Sequence, residues 1–284
     1  MSLSETPADG EQQPTASSDA GAGAGIIAAS HESNPAPAAA EPRWGFWATI
    51  GFSLLVLAVF VVLQTVVAIG FVAVQMLAGD RIPSPADAAA LGSNGLLLSL
   101  TTWVSMPACL ALVCLFAKLK RGATIRGYLG LRGVPVGAGL IWIGIFLVYA
   151  VGVDGLTYAL GRPIVPEFMV DAYKSAGFVP LLWLSLIVAA PIFEEAFFRG
   201  FMLEGIRRTR LGPIGAVLLT SLVWAGIHLQ YDAYQVAVIF VGGLLFGTAR
   251  IRSGSVLLTM AMHCLQNVLA TLETVVYLHL NDGG

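Results

Sequence analysis

The chain has 284 residues, of which 57% are hydrophobic and only 11% are charged. Soluble globular domains are about 45–50% apolar and about 25% charged, so this composition excludes an ordinary soluble domain and indicates a helical membrane protein. The formal net charge of −2 gives no basic surface of the kind that binds nucleic acid, so we expect no nucleic-acid partner.

The N-terminal part of the chain differs in composition from the rest. Residues 1–43 are rich in Ala, Ser, Pro, Gly and Gln, and such a segment buries too little apolar area to offset its chain entropy. The sequence therefore predicts a disordered N-terminal tail at 1–43 and a helical membrane domain at 44–284. The predicted fold class is all-α, a polytopic helical membrane protein with about seven transmembrane helices, at 46–78, 95–117, 136–160, 179–205, 213–231, 234–250 and 254–280.

Basic residues near the span ends predict the orientation. They concentrate in the connections after the second, fourth and sixth spans, which all fall on one side of the membrane if there are seven spans: Lys118, Lys120, Arg121, Arg126, Arg132, Arg207, Arg208, Arg210, Arg250 and Arg252. By the positive-inside rule this side is cytoplasmic, with the N-terminus inside and the C-terminus outside. The Ala-, Gly- and Pro-rich composition favours a bacterial plasma membrane. Residues 164–178, on the opposite side, form either a short amphipathic surface helix or an irregular loop.

The fourth span carries charged residues at a depth where they are costly. An ionisable side chain near the centre of a bilayer costs a few kcal/mol or more, so a functional role is the first hypothesis for such a residue. Glu195 and Arg199 are four residues apart, share one helix face and can form an ion pair. Glu194 points about 100° away and is not neutralised by that pair. Each of these features also has a purely structural explanation, such as a buried ion pair.

Polar residues in two other spans suggest what the unpaired carboxylate does. Trp224 is one helical turn from His228 and can brace its ring, and His263 shares a helix face with Asn267. In one interpretation Glu194 is a general base for water, His228 holds that water, and His263 and Asn267 donate hydrogen bonds to an oxyanion. In the other, Glu194, His228 and His263 bind Zn²⁺ and a metal-bound water is the nucleophile. The sequence does not choose between them.

These residues fall into three motifs that resemble those of the CPBP family of intramembrane proteases, also called the Abi or CAAX-protease family. The matches are Glu194, Glu195 and Arg199 to E-E-x-x-x-R, Trp224 and His228 to F-x-x-x-H, and His263 and Asn267 to H-x-x-x-N. Trp224 replaces the usual Phe of the second motif. The resemblance covers about residues 180–270, and three motifs in order on three different apolar spans make it specific.

The resemblance implies an all-helical endopeptidase of the CAAX type whose active site lies inside the bilayer. Glu194 and His228 would activate water, and His263 with Asn267 would stabilise the oxyanion. The substrate would be a peptide or a membrane-associated protein, which in the prenyl-protease members is a lipidated C-terminal peptide. Metal use in the family is argued both ways, so no cofactor is assigned and Zn²⁺ is the one candidate.

The same resemblance implies supporting roles for three other residues, and two alternatives to an enzymatic function stay open. Glu195 and Arg199 would hold the architecture, and Trp224 would support the site as an aromatic ring. An alternative to an enzyme is a non-catalytic membrane scaffold or immunity factor that binds a partner with the same fold. A proton-coupled transporter also uses buried Glu and His, but it predicts paired broken helices in the two halves of the chain, and the sequence shows no such pairing.

Overall fold

The structure is a computed structural model that describes residues 42–79 and 90–282. The predicted tail at 1–43 lies outside the described residues except for its last two positions. The described part of the chain contains no strand, and its helices are α1 Phe46–Leu77, α2 Gly95–Leu119, α3 Ile125–Leu129, α4 Val136–Ala159, α5 Glu167–Lys174, α6 Val179–Ile206, α7 Gly212–Gly226, α8 Ala233–Ser253 and α9 Val256–Asp282.

The predicted fold class is confirmed, because the described residues form a polytopic helical membrane protein. Six of their helices are long and apolar enough to cross a membrane, namely α1, α2, α4, α6, α8 and α9. The sequence predicted about seven spans. The difference lies in the predicted span 213–231, which forms only the 15-residue helix α7. At about 1.5 Å per residue, α7 is shorter than the roughly 30 Å of a bilayer core.

A helix cap explains why α7 and α8 are separated by a turn. The Asp232 side chain accepts a hydrogen bond from the Gln235 backbone, and the Gln235 side chain accepts one from the Asp232 backbone. This reciprocal cap begins α8 at Ala233. The residues from Ile227 to Asp232 therefore form a turn rather than the end of a long helix. The prediction of one span over 213–231, which was based on hydropathy, did not include this break.

Helices α7 and α8 form a closely packed antiparallel pair. Gly243 and Gly247 of α8 form a G-x-x-x-G that faces Ser221 and Val217 of α7. A Cβ atom on Gly243 would lie 2.9 Å from the Ser221 side chain, and one on Gly247 would lie 2.8 Å from Val217. The small residues therefore let the two backbones approach, as is common between membrane helices.

Helix α6 occupies the centre of the fold. It contacts α1, α2, α3, α7, α8 and α9, and every residue from Glu195 to Met202 is buried. It contains two π-helical stretches, Ser185–Ala189 and Glu195–Met202. A π-helical turn changes the rotation per residue and is frequent at functional sites. The second stretch carries the charged residues of the first motif.

The segment 164–178 contains a helix, α5, so the helical alternative for this surface segment is the one observed. Helix α5 packs against α2 and α9. Gly95, at the start of α2, lies so close to the backbone of Ala172 in α5 that a Cβ atom there would overlap the Ala172 carbonyl. The close approach places Phe168 and Met169 of α5 in the wall of a large cavity.

The predicted orientation can be tested by labelling single cysteines. In a chain whose three native cysteines are replaced by serine, Arg210→Cys should react with an impermeant maleimide only from the cytoplasmic side, and Asn281→Cys only from outside. The reason is the excess of Lys and Arg in the connection that contains Arg210. The measurement is labelling of intact cells against inverted vesicles. The placement of Asn281 outside depends on seven crossings, so labelling of Asn281→Cys from the cytoplasmic side would overturn the seven-span prediction and favour the six spans that the long apolar helices provide.

Candidate functional site

The structure brings all four candidate catalytic residues together. Glu194 of α6, His228 after α7, and His263 and Asn267 of α9 line one cavity of about 740 Å³. Such a volume is typical of a ligand site, and most of the residues around it are apolar. Residues that are far apart in the chain therefore line the same cavity.

The predicted ion pair is present behind this cavity. The Nη1 of Arg199 donates to the Oε1 of Glu195 over 2.9 Å, and both side chains have 0% exposure. The guanidinium also lies over the ring of Trp224, 4.2 Å from its centroid, and 5.5 Å from that of Phe246. Ring faces are electron-rich and attract cations. Because the pair is enclosed by helices and aromatic rings, it forms the base of the site rather than part of its open wall.

Glu195 extends this ion pair to the third motif. The Nδ1 of His263 lies 3.1 Å from the Oε1 of Glu195, the same oxygen that pairs with Arg199. His263 is buried. A carboxylate on one ring nitrogen fixes the orientation of an imidazole and selects which nitrogen carries its proton. The Nε2 of His263 is then the nitrogen left for chemistry in the cavity.

Trp224 contacts Glu194 in a way that the sequence interpretation did not include. Its indole N–H donates to the Oε2 of Glu194 over 2.6 Å. The interpretation that Glu194 stands outside the ion pair holds, since its observed partner is a neutral N–H. The prediction that Trp224 braces His228 also holds, because the two rings meet edge to face with centroids 5.3 Å apart.

His228 is held by backbone as well as by that ring. Its Nδ1 lies 2.7 Å from the carbonyl oxygen of Trp224. Because α7 ends at Gly226, His228 lies in the turn that follows the helix rather than inside a span. With Nδ1 occupied by a carbonyl, the ring donates there and keeps Nε2 as an acceptor. His228 and His263 thus both use Nδ1 for positioning.

Asn267 has a structural contact that follows from the irregular form of α6. Its Nδ2 donates to the carbonyl oxygen of Leu186 over 2.6 Å. In the first π-helical stretch, Ala190 bonds back to Ser185, and the next donor in that pattern would be residue 191. Pro191 has no N–H, so the Leu186 carbonyl lacks a helical partner and Asn267 provides one. One amide hydrogen of Asn267 is therefore committed, and the other is left for the predicted oxyanion role.

The tentative metal set is not preorganised. Among residues 42–79 and 90–282, no group of three or more His, Cys, Asp and Glu side chains is arranged so that it could hold a metal ion. Glu194, His228 and His263 therefore do not form such a group in this conformation, whereas catalytic zinc usually has three protein ligands. We therefore derive no step through a metal.

Tyr231 is a cavity residue that the sequence interpretation missed. Its ring stacks on that of His228, with centroids 6.2 Å apart and an angle of 16°, and it meets Phe168 of α5 edge to face. Burial of the ring and the charge of Glu194 raise the pKa of Tyr231 to about 12. The phenol is therefore neutral and can donate a hydrogen bond in the cavity. Its place three residues after His228, in the turn, is the only signal that the sequence offers.

A second buried ion cluster was also missed. Glu204 is 1% exposed, and its carboxylate lies 2.7 Å from Arg250, 3.0 Å from Arg207 and 3.4 Å from Arg43. Arg250 also donates from Nε to the carbonyl of Arg199 over 3.1 Å. The sequence interpretation used Arg207 and Arg250 only to predict orientation. The cluster joins α8 to the end of α6 directly beneath the first motif.

Comparison with known proteins adds two similarities. A family model described as "Type II CAAX prenyl endopeptidase Rce1-like" matches residues 176–269, which contain all three motifs. The chain is also 36% identical over 162 residues to an uncharacterized 24.3 kDa protein of Escherichia coli, an alignment that covers 54% of this chain and 70% of that protein. No solved structure matches the chain significantly.

The Glu204 cluster generates a stability prediction. Glu204→Gln should lower the free energy of unfolding by about 3–5 kcal/mol, because it leaves the buried Arg250 without a carboxylate. The measurement is the thermal midpoint of the purified protein in detergent.

A matched control comes from an exposed ion pair. Arg162 and Asp232 lie 2.8 Å apart with side-chain exposures of 37% and 50%. Arg162→Gln should therefore cost only about 0–1 kcal/mol. Equal shifts in the midpoint for the two variants would contradict the structural importance of Glu204.

Proposed function

Because the chain belongs to the CPBP family of intramembrane CAAX proteases, we propose that it is an intramembrane endopeptidase that hydrolyses its substrate with water activated by Glu194. The observation that carries this proposal is the convergence of Glu194, His228 and His263 on one cavity, backed by a buried ion pair. The substrate is a peptide or a membrane-associated protein. The integral membrane location follows from the six apolar helices. The side that carries the basic connections is the one we propose to be cytoplasmic.

Glu194 is the general base in this proposal. The Trp224 N–H occupies its Oε2, so Oε1 is available to take a proton from water. Arg199 pairs with Glu195 instead of Glu194, and a carboxylate that has no cation bound to it is the better proton acceptor. His228, whose Nε2 can accept a hydrogen bond, holds the same water against the substrate carbonyl.

The tetrahedral intermediate needs hydrogen-bond donors where its negative charge develops. His263 is the principal donor in the proposal, through Nε2 when its ring carries both protons. The uncommitted amide hydrogen of Asn267 and the neutral phenol of Tyr231 are additional donors in the same cavity. The proton taken by Glu194 then passes to the leaving amine, which completes the hydrolysis.

The cavity wall indicates the form of the substrate. Apolar side chains of α1 and α6, such as Leu54, Phe60 and Phe197, line one part of the wall. Polar side chains around the α7–α8 turn, such as Gln230 and Gln235, line another. A substrate with an apolar segment next to a more polar one fits this division, which is consistent with a peptide at a membrane surface.

The role of Glu194 gives the first prediction of this proposal. Glu194→Gln should abolish turnover while the protein stays folded, since the amide cannot accept the proton. The measurement is quantitative proteomics of membrane fractions from cells that express the wild type or the variant, which should show peptide products that disappear with Glu194. Products that persist unchanged would remove the general base and favour a non-catalytic scaffold or immunity factor.

Glu195→Gln is the matched variant, one residue away on the same helix. It should lower the thermal midpoint as well as activity, because Arg199 would be left buried without its carboxylate at a cost of about 3–5 kcal/mol. The two variants therefore separate catalysis from architecture. A Glu195→Gln protein as stable as the wild type would contradict the supporting role of the ion pair.

Metal content gives the second prediction. Under the glutamate–water mechanism, purified active protein should contain far less than stoichiometric zinc, and slow treatment with a chelator should leave product formation intact. The measurement is elemental analysis together with the product assay. Stoichiometric zinc that is lost with activity in both His228→Ala and His263→Ala would establish a metalloprotease and make both histidines ligands.

A further inference from the structure

Trp224 contacts both the buried ion pair and the proposed general base. Its ring face receives the guanidinium of Arg199 at 4.2 Å, and its edge donates to Glu194 over 2.6 Å. The residue is 1% exposed, so the indole has little freedom to move. A phenylalanine at this position would offer a ring face to the cation but no hydrogen-bond donor.

We propose that Trp224 is a positioning residue whose indole N–H holds the Glu194 carboxylate in its reactive orientation. The inference rests on the proposed function, because it needs Glu194 to be the base. A glutamate side chain has three rotatable bonds, and one without a partner in a cavity of this size would sample several rotamers. The hydrogen bond to Oε2 selects one of them and leaves Oε1 for the water. Catalysis is sensitive to such preorganisation, since a misplacement of about 1 Å can reduce a rate about a hundredfold.

The chemistry of the donor matters as much as its place. Charged groups near Glu194 include Arg199 and Glu195 on its own helix and the imidazoles of His228 and His263 from the elements packed against it. Arg199 is bound to Glu195 and lies over the face of the indole, whereas Glu194 accepts a hydrogen bond at the N–H edge of the same ring. A neutral N–H can orient a carboxylate without placing a full positive charge on it, and such a charge would weaken a base. Trp224 thereby orients Glu194 without bringing a full positive charge into contact with it.

The backbone of Trp224 contributes to the same arrangement. Its carbonyl oxygen lies 2.7 Å from the Nδ1 of His228, and its ring meets the rings of His228 and His263 edge to face, at 5.3 Å and 5.4 Å. These contacts depend on ring shape and on the backbone, not on the indole N–H. A substitution that removes only the N–H should therefore leave both imidazoles in place. This allows the role of the N–H to be measured by itself.

The test replaces Trp224 with 3-benzothienylalanine, which keeps the fused ring and puts sulfur in place of the N–H, and compares it with Trp224→Phe. The probe is the membrane-protein product that is present in the wild type and absent in Glu194→Gln. Its rate of formation in membranes, normalised to the amount of enzyme, should fall about tenfold to a hundredfold in both substituted proteins. The thermal midpoint of the benzothienylalanine protein should stay close to that of the wild type.

A spectroscopic arm keeps the inference testable even if a substituted protein fails to fold. The ultraviolet resonance Raman band of the indole N–H should show a strongly hydrogen-bonded tryptophan in the wild type. That component should be lost in Glu194→Ala, in which Trp224 itself is intact. A band unchanged by Glu194→Ala would overturn the inference.

The activity arm separates failure of the inference from failure of the proposed function. Wild-type turnover by the benzothienylalanine protein, with Glu194→Gln inactive, would show that only the ring shape of Trp224 matters and would overturn the inference alone. Wild-type turnover by Glu194→Gln would instead overturn the proposed function, and the inference with it.

Discussion

The buried pair of Glu195 and Arg199 is the interaction on which the arrangement of the site depends. Two charges with no exposed surface persist in an apolar interior only if each compensates the other and the remaining contacts are well placed. Here a chain of single contacts leads from the ion pair to the residues of the cavity. Glu195 holds His263, Arg199 stacks on Trp224, and Trp224 holds Glu194. Glu194, Trp224 and His263, which line the cavity, are thus positioned by two charges that do not line it.

The irregular form of α6 is the second constraint. Pro191 interrupts the backbone hydrogen bonds of its first π-helical stretch, and the Leu186 carbonyl that is left over is satisfied by Asn267 from α9. Asn267, a candidate donor to the oxyanion, thus also links α9 to α6 by a hydrogen bond. Loss of Asn267 would therefore disturb packing and chemistry together, because it would remove the hydrogen bond to the Leu186 carbonyl along with the amide that faces the cavity.

Different residues of the site form the buried ion pair and carry out the proposed proton transfer. The guanidinium of Arg199 is kept on Glu195 and over the face of Trp224, while Glu194 receives a neutral donor. Both imidazoles use Nδ1 for positioning and keep Nε2 for the cavity. The cavity wall includes large apolar side chains of α1 and α6, such as Phe60 and Phe197, and polar side chains near the α7–α8 turn, such as Gln230, which suits a substrate that lies partly in the membrane.

Some of this structure could be read from the sequence, and the physical reason is that it depends on one helix at a time. Runs of apolar residues predicted the long helices, and the four-residue spacing of Glu195 and Arg199 predicted their ion pair, since both follow from helix length and period alone. The end of α7 was mispredicted because a cap at Asp232, not hydropathy, decides it. The bond from Trp224 to Glu194 and the cluster around Glu204 join side chains from different helices. Their formation depends on how those helices are rotated and how deeply they sit, and only the packed tertiary structure decides that.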